Sequence, residues 1–275
     1  MRIEILLPMI ERKHCVNLVL RNIEKAEKPK DCQVLVVISA SDEYVNFVRS
    51  KLEKIFVKVR IIESKDKWIE HNEIRPELDG GINWSNSGIN QEKMSKVCNT
   101  YKLLQKNADR DMDYYWNIED DNLFPLDTFP RYFGLMEALR ADIVTGVSYS
   151  WYQAKLVTNF WTITLKKVFG ENDTSNEMSY SVDYFPYQDS GVVRLGACGL
   201  VNVLMKKEAL LSWTPTRMRG LGSAADVSFF ISVAKHKLKA FGVWDITLPH
   251  ITRVDNEQYQ IMGQIDKSTM ELLNV

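Results

Sequence analysis

The sequence carries almost no net charge. It has 35 Lys and Arg residues against 36 Asp and Glu residues, which gives a formal net charge of −1. A chain without a basic excess lacks the broad electrostatic attraction that draws proteins to nucleic acids and anionic membranes. We therefore predict that nucleic acid is not a partner.

Long apolar runs and paired cysteines are missing as well. No stretch approaches the roughly 20 apolar residues of a membrane-spanning helix, and the apolar run in MRIEILLPMI (1–10) is too short and too charged for a signal peptide. The four cysteines are far apart and form no C-x-x-C pair, which favours reduced thiols over a disulfide framework. We expect a cytoplasmic protein with no transmembrane segment.

The chain also lacks internal repeats, low-complexity tracts and obvious linkers. Its composition, 45% hydrophobic and 26% charged, is typical of a globular protein. Its 275 residues are enough for one domain with a large core. A single domain over 1–275 is the simplest prediction.

The first half alternates apolar runs with amphipathic segments. The runs predict strands over 3–9, 33–39, 55–63 and 112–118, and a polar, glycine-containing loop covers 78–88. Between the strands, apolar residues recur at helical spacing. The three sets are Val16, Val19, Leu20 and Ile23; Val45, Val48 and Leu52; and Met94, Val97, Tyr101 and Leu104. This alternation predicts an α/β fold with a mostly parallel sheet between helices.

The second half is less regular. Strands are predicted over 141–152 and 239–251, a helix over 226–238, and a turn, strand and helix within 196–213. Residues 153–190 are rich in aromatics and include a polar loop, 170–179.

Three acids in a row follow the fourth predicted strand. Glu119, Asp120 and Asp121 should lie at the carboxyl edge of the sheet, where open α/β folds bind ligands. Crowded carboxylates raise one another's pKa unless a cation offsets the repulsion, and Mg²⁺ and Mn²⁺ prefer oxygen ligands. A solvated acidic turn and a metal site are both compatible with the pattern.

Three later features each admit a structural and a functional interpretation. His250 follows a predicted strand and is either structural or a ligand for a metal such as Mn²⁺. Asp226 begins a predicted helix, as an N-cap or as a general base facing a substrate. Gly196 and Gly199 either relieve backbone strain or let the backbone approach a ligand.

Taken in order, these motifs resemble those of the GT-A fold glycosyltransferases. EDD (119–121) resembles that family's D-x-D motif, GACG (196–199) its glycine-rich loop, AD (225–226) its acid at a helix start, and PHIT (249–252) its late histidine. ILLPMIER (5–12) and VLVVISASD (34–42) are similar to its first two strands and their loops. The resemblance covers about residues 1–252 and implies a Rossmann-like sheet with a smaller mixed sheet on the acceptor side.

The resemblance also implies roles for individual residues. Asp121 and His250 would hold Mn²⁺ or Mg²⁺, and Asp226 would be the catalytic base of an inverting enzyme. The nucleotide-sugar-binding residues would be Pro8, Arg12, Ser39, Asp42, Lys96, Glu119 and Asp120. The acceptor-side loop would be Gly196, Ala197, Cys198 and Gly199.

The implied reaction transfers a sugar from a nucleoside-diphosphate sugar, most simply a UDP- or GDP-sugar, to the hydroxyl of a glycan, lipid or protein acceptor. The donor half would be about 1–125, the acceptor half about 126–252, and the tail 253–275, which would either order over the donor or pack as a helix.

Four other interpretations remain open at this point. A retaining glycosyltransferase would not need Asp226 as a base. A sugar nucleotidyltransferase would need a glycine-rich, basic phosphate loop after the first strand, which LLPMIERKHC (6–15) lacks. A two-metal phosphodiesterase or nuclease also uses clustered carboxylates, and a binding protein with the same fold would carry no chemistry.

Overall fold

The structure, a computed structural model, describes residues 1–65, 88–152, 155–167, 178–186, 188–215, 224–253 and 259–262, with Lys267 and Glu271. Most of the predicted loops 78–88 and 170–179 lies outside these residues. The elements of the first half are β1 (Ile3–Ile10), α1 (Val16–Lys25), β2 (Gln33–Ser39), α2 (Asp42–Leu52), β3 (Val59–Glu63), α3 (Gly88–Asn107), β4 (Tyr114–Ile118) and α4 (Thr128–Leu139).

The second half contributes mostly strands. Its elements are β5 (Ile143–Tyr152), β6 (Lys155–Thr158), β7 (Phe160–Lys167), β8 (Met178–Tyr184), β9 (Val192–Arg194), β10 (Ala197–Cys198), β11 (Asn202–Lys206), α5 (Lys207–Ser212), α6 (Ala224–Lys235), β12 (Ala240–Leu248), β13 (His250–Arg253) and β14 (Tyr259–Met262).

The large sheet has the strand order β3-β2-β1-β4-β11-β5-β12-β9, with β6 paired to β5. Its first four strands are parallel, and β11 joins them to the rest through antiparallel pairs with β4 and β5. All seven residues of β2 are buried, as expected for a strand with helices on both faces. The α/β fold class is therefore confirmed. β7, β8 and β10 form a smaller sheet, whose described pairs are antiparallel rather than mixed.

Helices α1 and α2 form where the apolar spacing predicts them. All four apolar residues predicted to line α1, and the three predicted to line α2, are buried. α2 begins directly after Ser41, whose side-chain oxygen accepts a hydrogen bond from the backbone N–H of Tyr44 at 3.4 Å.

Several boundaries differ from the predictions. β3 begins at Val59 instead of 55, because the chain leaving α2 makes another turn in which Phe56 N–H bonds to the Leu52 carbonyl. α3 begins at Gly88, three residues before its predicted start at Gln91. In the tail, Tyr259–Met262 form a strand, β14, paired with β13, whereas Lys267 and Glu271 are helical.

One close approach shapes the second half of the sheet. The pairing of β12 with β5 shifts register between Val243 and Thr247, which brings the Ile246 carbonyl against Gly146. A Cβ built at Gly146 would lie 2.4 Å from that oxygen, so a residue without a side chain is required there.

Candidate active site

Asp120 ties the end of β4 to the loop that follows β1. Its Oδ2 accepts the Ile10 N–H at 2.8 Å, and its Oδ1 accepts a hydrogen bond from Nη1 of Arg12 at 2.7 Å. The Sγ of Cys15 lies 3.4 Å from the backbone oxygen of Asp120. Because both carboxylate oxygens of Asp120 bond to this loop, Asp120 fixes the loop at the carboxyl edge of the sheet.

Asp121 lies at the centre of the site. Its Oδ2 is in contact with Nη1 of Arg12 and lies 3.0 Å from Nε2 of His250. Its Oδ1 accepts a hydrogen bond from the Asn122 amide at 2.7 Å. Asp121 is 9% exposed, so these contacts replace most of its solvation. The predicted pair of Asp121 and His250 is thus in direct contact.

The backbone explains how His250 reaches an acid 129 residues earlier in the chain. The Ile251 N–H donates to the Asp121 carbonyl at 2.7 Å, and the Leu123 N–H donates to the Pro249 carbonyl at 2.9 Å. On its other side, His250 is paired with Met262 of β14. His250 is therefore held between the acid segment and the C-terminal strand.

Glu119 faces different partners from the two aspartates. Its N–H donates to the Val201 carbonyl at 2.8 Å, and its Oε1 accepts a hydrogen bond from the Tyr101 hydroxyl at 3.1 Å. Burial, together with the charges of Asp121 and Asp226, raises the pKa of Glu119 to about 8. The protonated form of this side chain is therefore favoured.

The two aspartates have lower pKa values than Glu119 because Arg12 lies between them. Burial raises the pKa of Asp120 to about 6, although Arg12 opposes the increase. Burial also works against the charged form of Asp121, yet Arg12 and His250 hold its pKa below the usual range. Arg12 is thus the cation that permits these adjacent acids in this structure.

Asp226 lies in the first turn of α6, beside the glycine-containing loop. A Cβ built at Gly199 would lie 3.9 Å from Oδ2 of Asp226. Burial and the Asp226 charge raise the pKa of the Cys198 thiol well above its usual range, so Cys198 stays protonated. Ala197 and Cys198 are fully buried in β10, whereas Gly196 is exposed.

The other predicted nucleotide-binding residues lie on β1, β2, α2 and α3. Pro8 and Ser39 lie near the carboxyl ends of β1 and β2, where Ile10 pairs with Ser39. β1 pairs with β4 only over Ile3–Leu6, so Pro8 lies beyond the part of β1 that is paired on both sides. Asp42 is exposed in the first turn of α2, and Lys96 is half-buried on α3.

Three polar residues at the site were not expected from the sequence. The apolar spacing places Tyr101 on the packed face of α3, although its hydroxyl reaches Glu119. The Tyr44 hydroxyl accepts the Arg12 N–H at 3.1 Å, and Asn122 orients Asp121. The sequence does not distinguish a tyrosine that only packs its ring from one whose hydroxyl also forms a hydrogen bond. Asn122 directly follows the acid triplet, and that position is the signal that could have indicated it.

The predicted metal ligands fit a divalent cation in chemistry, because Mn²⁺ accepts both carboxylate oxygens and imidazole nitrogens as ligands. Asp121 Oδ2 and His250 Nε2 lie at hydrogen-bond distance, 3.0 Å apart, so the structure brings both atoms to one point. Among the described residues, no group of three or more His, Cys, Asp or Glu side chains is placed to hold a metal. Two protein ligands are nevertheless enough for an ion that also binds substrate phosphates.

Comparisons with solved structures identify the architecture. S. aureus TarS matches with a TM-score of 0.52 at 12% identity, over 90% of this chain and 36% of TarS. The mannosyltransferase PcManGT from Pyrobaculum calidifontis, in complex with GDP-Man and Mn²⁺, matches with a TM-score of 0.53 at 13% identity, over 90% of this chain and 55% of that one. The chain has the GT-A fold.

A third solved structure of similar fold is a complex with a nucleotide sugar. TarS 1–349 in complex with UDP-GlcNAc matches with a TM-score of 0.50 at 12% identity, over 98% of this chain and 61% of that one. No protein-family model matches the sequence, and no curated protein does either. Within the described ranges, every helix is too short or too polar to cross a membrane.

Proposed function

We propose that this GT-A chain is a metal-dependent glycosyltransferase that moves a sugar from a nucleoside-diphosphate sugar to an acceptor hydroxyl. The observation that carries the proposal is the contact between Asp121 and His250 at the carboxyl edge of the sheet. Structures of the same fold that hold UDP-GlcNAc, or GDP-Man with Mn²⁺, support this class of donor.

Asp121 and His250 would hold Mn²⁺ or Mg²⁺ together with the donor diphosphate. The bound ion would neutralise the negative charge that grows on the diphosphate as the bond to the sugar breaks. Asp120 holds the loop after β1 in place through Ile10 and Arg12, which keeps this loop beside the donor. The exposed Asp42 and the half-buried Lys96 are proposed as further donor contacts.

Asp226 is the proposed general base. It lies beside Gly199, at the loop that would border the acceptor. In an inverting reaction, Asp226 takes the proton of the acceptor hydroxyl while that oxygen attacks the sugar from the face opposite the diphosphate. Burial is the main cause that raises the pKa of Tyr101 and of Glu119, and the charge of Asp226 adds to both increases, which supports the assignment of Asp226 and the acid triplet to one reaction centre.

A donor panel tests the proposal. We would measure thermal stabilisation and slow donor hydrolysis with UDP-, GDP- and dTDP-sugars, each with and without Mn²⁺. We expect one nucleotide class to stabilise the protein only when Mn²⁺ is present. Asp121→Ala should abolish that effect, whereas Asp111→Ala, an exposed acid before β4 at the opposite edge of the sheet, should leave it unchanged. Hydrolysis of a model phosphodiester without donor binding would instead favour a nuclease or phosphodiesterase.

A further inference from the structure

A single arginine nitrogen contacts both aspartates of the acid triplet. Nη1 of Arg12 lies 2.7 Å from Oδ1 of Asp120 and is also in contact with Oδ2 of Asp121. His250 shares this same oxygen of Asp121. The atom proposed to bind a divalent cation is therefore already shared by a cationic side chain and an imidazole.

The backbone of Arg12 is fixed independently of its guanidinium. Its N–H donates to the Tyr44 hydroxyl at 3.1 Å, and its carbonyl accepts the N–H groups of Cys15 and Val16 at 3.3 and 3.1 Å. The Ile10 N–H holds the other oxygen of Asp120. The guanidinium can thus leave Asp121 by a side-chain rotation, while the loop that carries it keeps its own hydrogen bonds.

Two cations cannot share one carboxylate oxygen without cost. Like charges a few ångströms apart repel strongly in a poorly solvated site, and the Asp121 side chain is only 12% exposed. A divalent ion on Oδ2 would lie next to the guanidinium. Binding of the ion and retention of the Arg12 contact therefore oppose each other.

We propose that Arg12 is the resident counterion of this site: it neutralises Asp120 and Asp121 when no donor is bound, and it must release Asp121 before a divalent cation can take that oxygen. This inference rests on the proposed function, because it concerns the same metal ligands. It gives Arg12 a role that precedes donor binding. The donor diphosphate then offers the released guanidinium another anion, so donor and metal should bind cooperatively.

The test compares Arg12→Gln with Lys13→Gln in Mn²⁺ binding without donor, measured by the electron paramagnetic resonance of unbound Mn²⁺. Both variants lose one positive charge from neighbouring residues, but Lys13 is 74% exposed and pairs with Glu11 at 3.2 Å. A close charge shifts the proton affinity of a carboxylate by roughly 1–3 pKa units. We expect Arg12→Gln to bind Mn²⁺ about tenfold more tightly or better, and Lys13→Gln to match the wild type within about twofold, because its charge is exposed and screened. Equal gains in both variants, or no gain in Arg12→Gln, would overturn the inference.

Thermal unfolding gives a second measurement. Arg12→Gln leaves two buried carboxylates without their counterion, so it should be less stable than the wild type. Mn²⁺ should raise the Tm of Arg12→Gln by more than it raises the Tm of the wild type or of Lys13→Gln.

If Arg12→Gln does not fold, Arg12→Lys serves instead. It keeps a positive charge within reach of the same two carboxylates, so its Mn²⁺ affinity without donor should match that of the wild type within about twofold. A tenfold gain in affinity despite the retained charge would contradict the role of Arg12 as a counterion.

The same experiment separates this inference from the proposed function. If the wild type binds Mn²⁺ together with a nucleotide sugar but Arg12→Gln gains no affinity without donor, only the role of Arg12 is wrong. If neither protein binds Mn²⁺, with or without donor, the metal role and the Arg12 inference both fail.

Discussion

The hydroxyl of Tyr101 lies 3.1 Å from Oε1 of Glu119. This hydrogen bond joins α3 to the end of β4, and the Asn117 amide lies 3.4 Å from the same hydroxyl. The ring of Tyr101 packs against Trp213, with ring centroids 5.3 Å apart. The ring and the hydroxyl therefore make separate contacts, which a substitution can distinguish.

Tyr101→Phe should keep the ring packing and release Glu119. We expect a loss of roughly 1–2 kcal/mol in the free energy of unfolding, because a partly buried acceptor loses its donor. We also expect slower sugar transfer. Tyr115→Phe is the matched control, since the Tyr115 hydroxyl donates to the Asp109 carbonyl at 2.7 Å before β4 begins. It should lose similar stability and keep normal turnover. Equal turnover in both variants would remove Tyr101 from the site.

Asp226→Asn should bind donor normally but transfer sugar at least ~10²-fold more slowly, the usual contribution of a general base. Single-turnover kinetics and donor titration separate the two effects. Asp31→Asn, at an exposed acid before β2, should have no effect on either. Inversion of the anomeric configuration, followed by NMR of the product, is the further expectation. A product with retained configuration would rule out the base role and favour a retaining enzyme.

Two glycines should respond to alanine in opposite directions. Gly146→Ala brings a methyl group within 2.4 Å of the Ile246 backbone oxygen, and we expect it to cost about 1–3 kcal/mol, as overpacking does. Gly134 lies exposed on α4, and a Cβ added there would have no neighbouring atom within 4 Å. Gly134→Ala should stabilise by about 0.5–1 kcal/mol, because glycine weakens a helix interior. Urea unfolding of both variants checks the pair, and an undiminished stability of Gly146→Ala would contradict the close packing of β12 on β5.

Asp109 should make stability depend on pH in the acid range. The Gln33 amide donates to its Oδ2 at 2.9 Å, and this bond, with the Asp111 N–H and Lys58, lowers the pKa of Asp109 to about 2. Its unfolded pKa is about 3.9. A depressed pKa stabilises the folded state when the pH is above the unfolded pKa, by about 2–3 kcal/mol here, and that stability is lost as the pH falls from about 4 towards 2. Asp109→Asn should therefore flatten the acid limb of the stability curve. An equally steep limb in both proteins would contradict this.

Sequence patterns predict those parts of the fold in which apolar periodicity and burial agree. The continuous apolar run of β2 predicts its observed bounds, and α1 and α2 follow their apolar residues. α4 was not predicted, although Phe129, Tyr132, Phe133 and Met136 have helical spacing. Strands β6, β7 and β8 were also missed, because their pairing depends on partners that a local pattern does not reveal.

Only part of the site is predictable from the sequence. The acids, His250 and Asp226 are recognisable as residue types in order along the chain, whereas contact between Asp121 and His250 follows from a backbone pairing that no local pattern encodes. Arg12 was expected to bind the nucleotide. Its contact with both aspartates depends on where the loop after β1 is fixed, which is a tertiary property.

The pairing of Asn122 with His250 joins two segments that are synthesised far apart in time, because they are far apart in the chain. A ribosome completes the parallel strands β1–β4 and the acids that follow them long before it reaches residue 250. Arg12, which neutralises Asp120 and Asp121 in the structure, is therefore synthesised before these acids, whereas His250 follows much later. His250, the proposed second ligand, is added only when β13 is synthesised, so a nascent chain stalled before that point lacks the contact between Asp121 and His250.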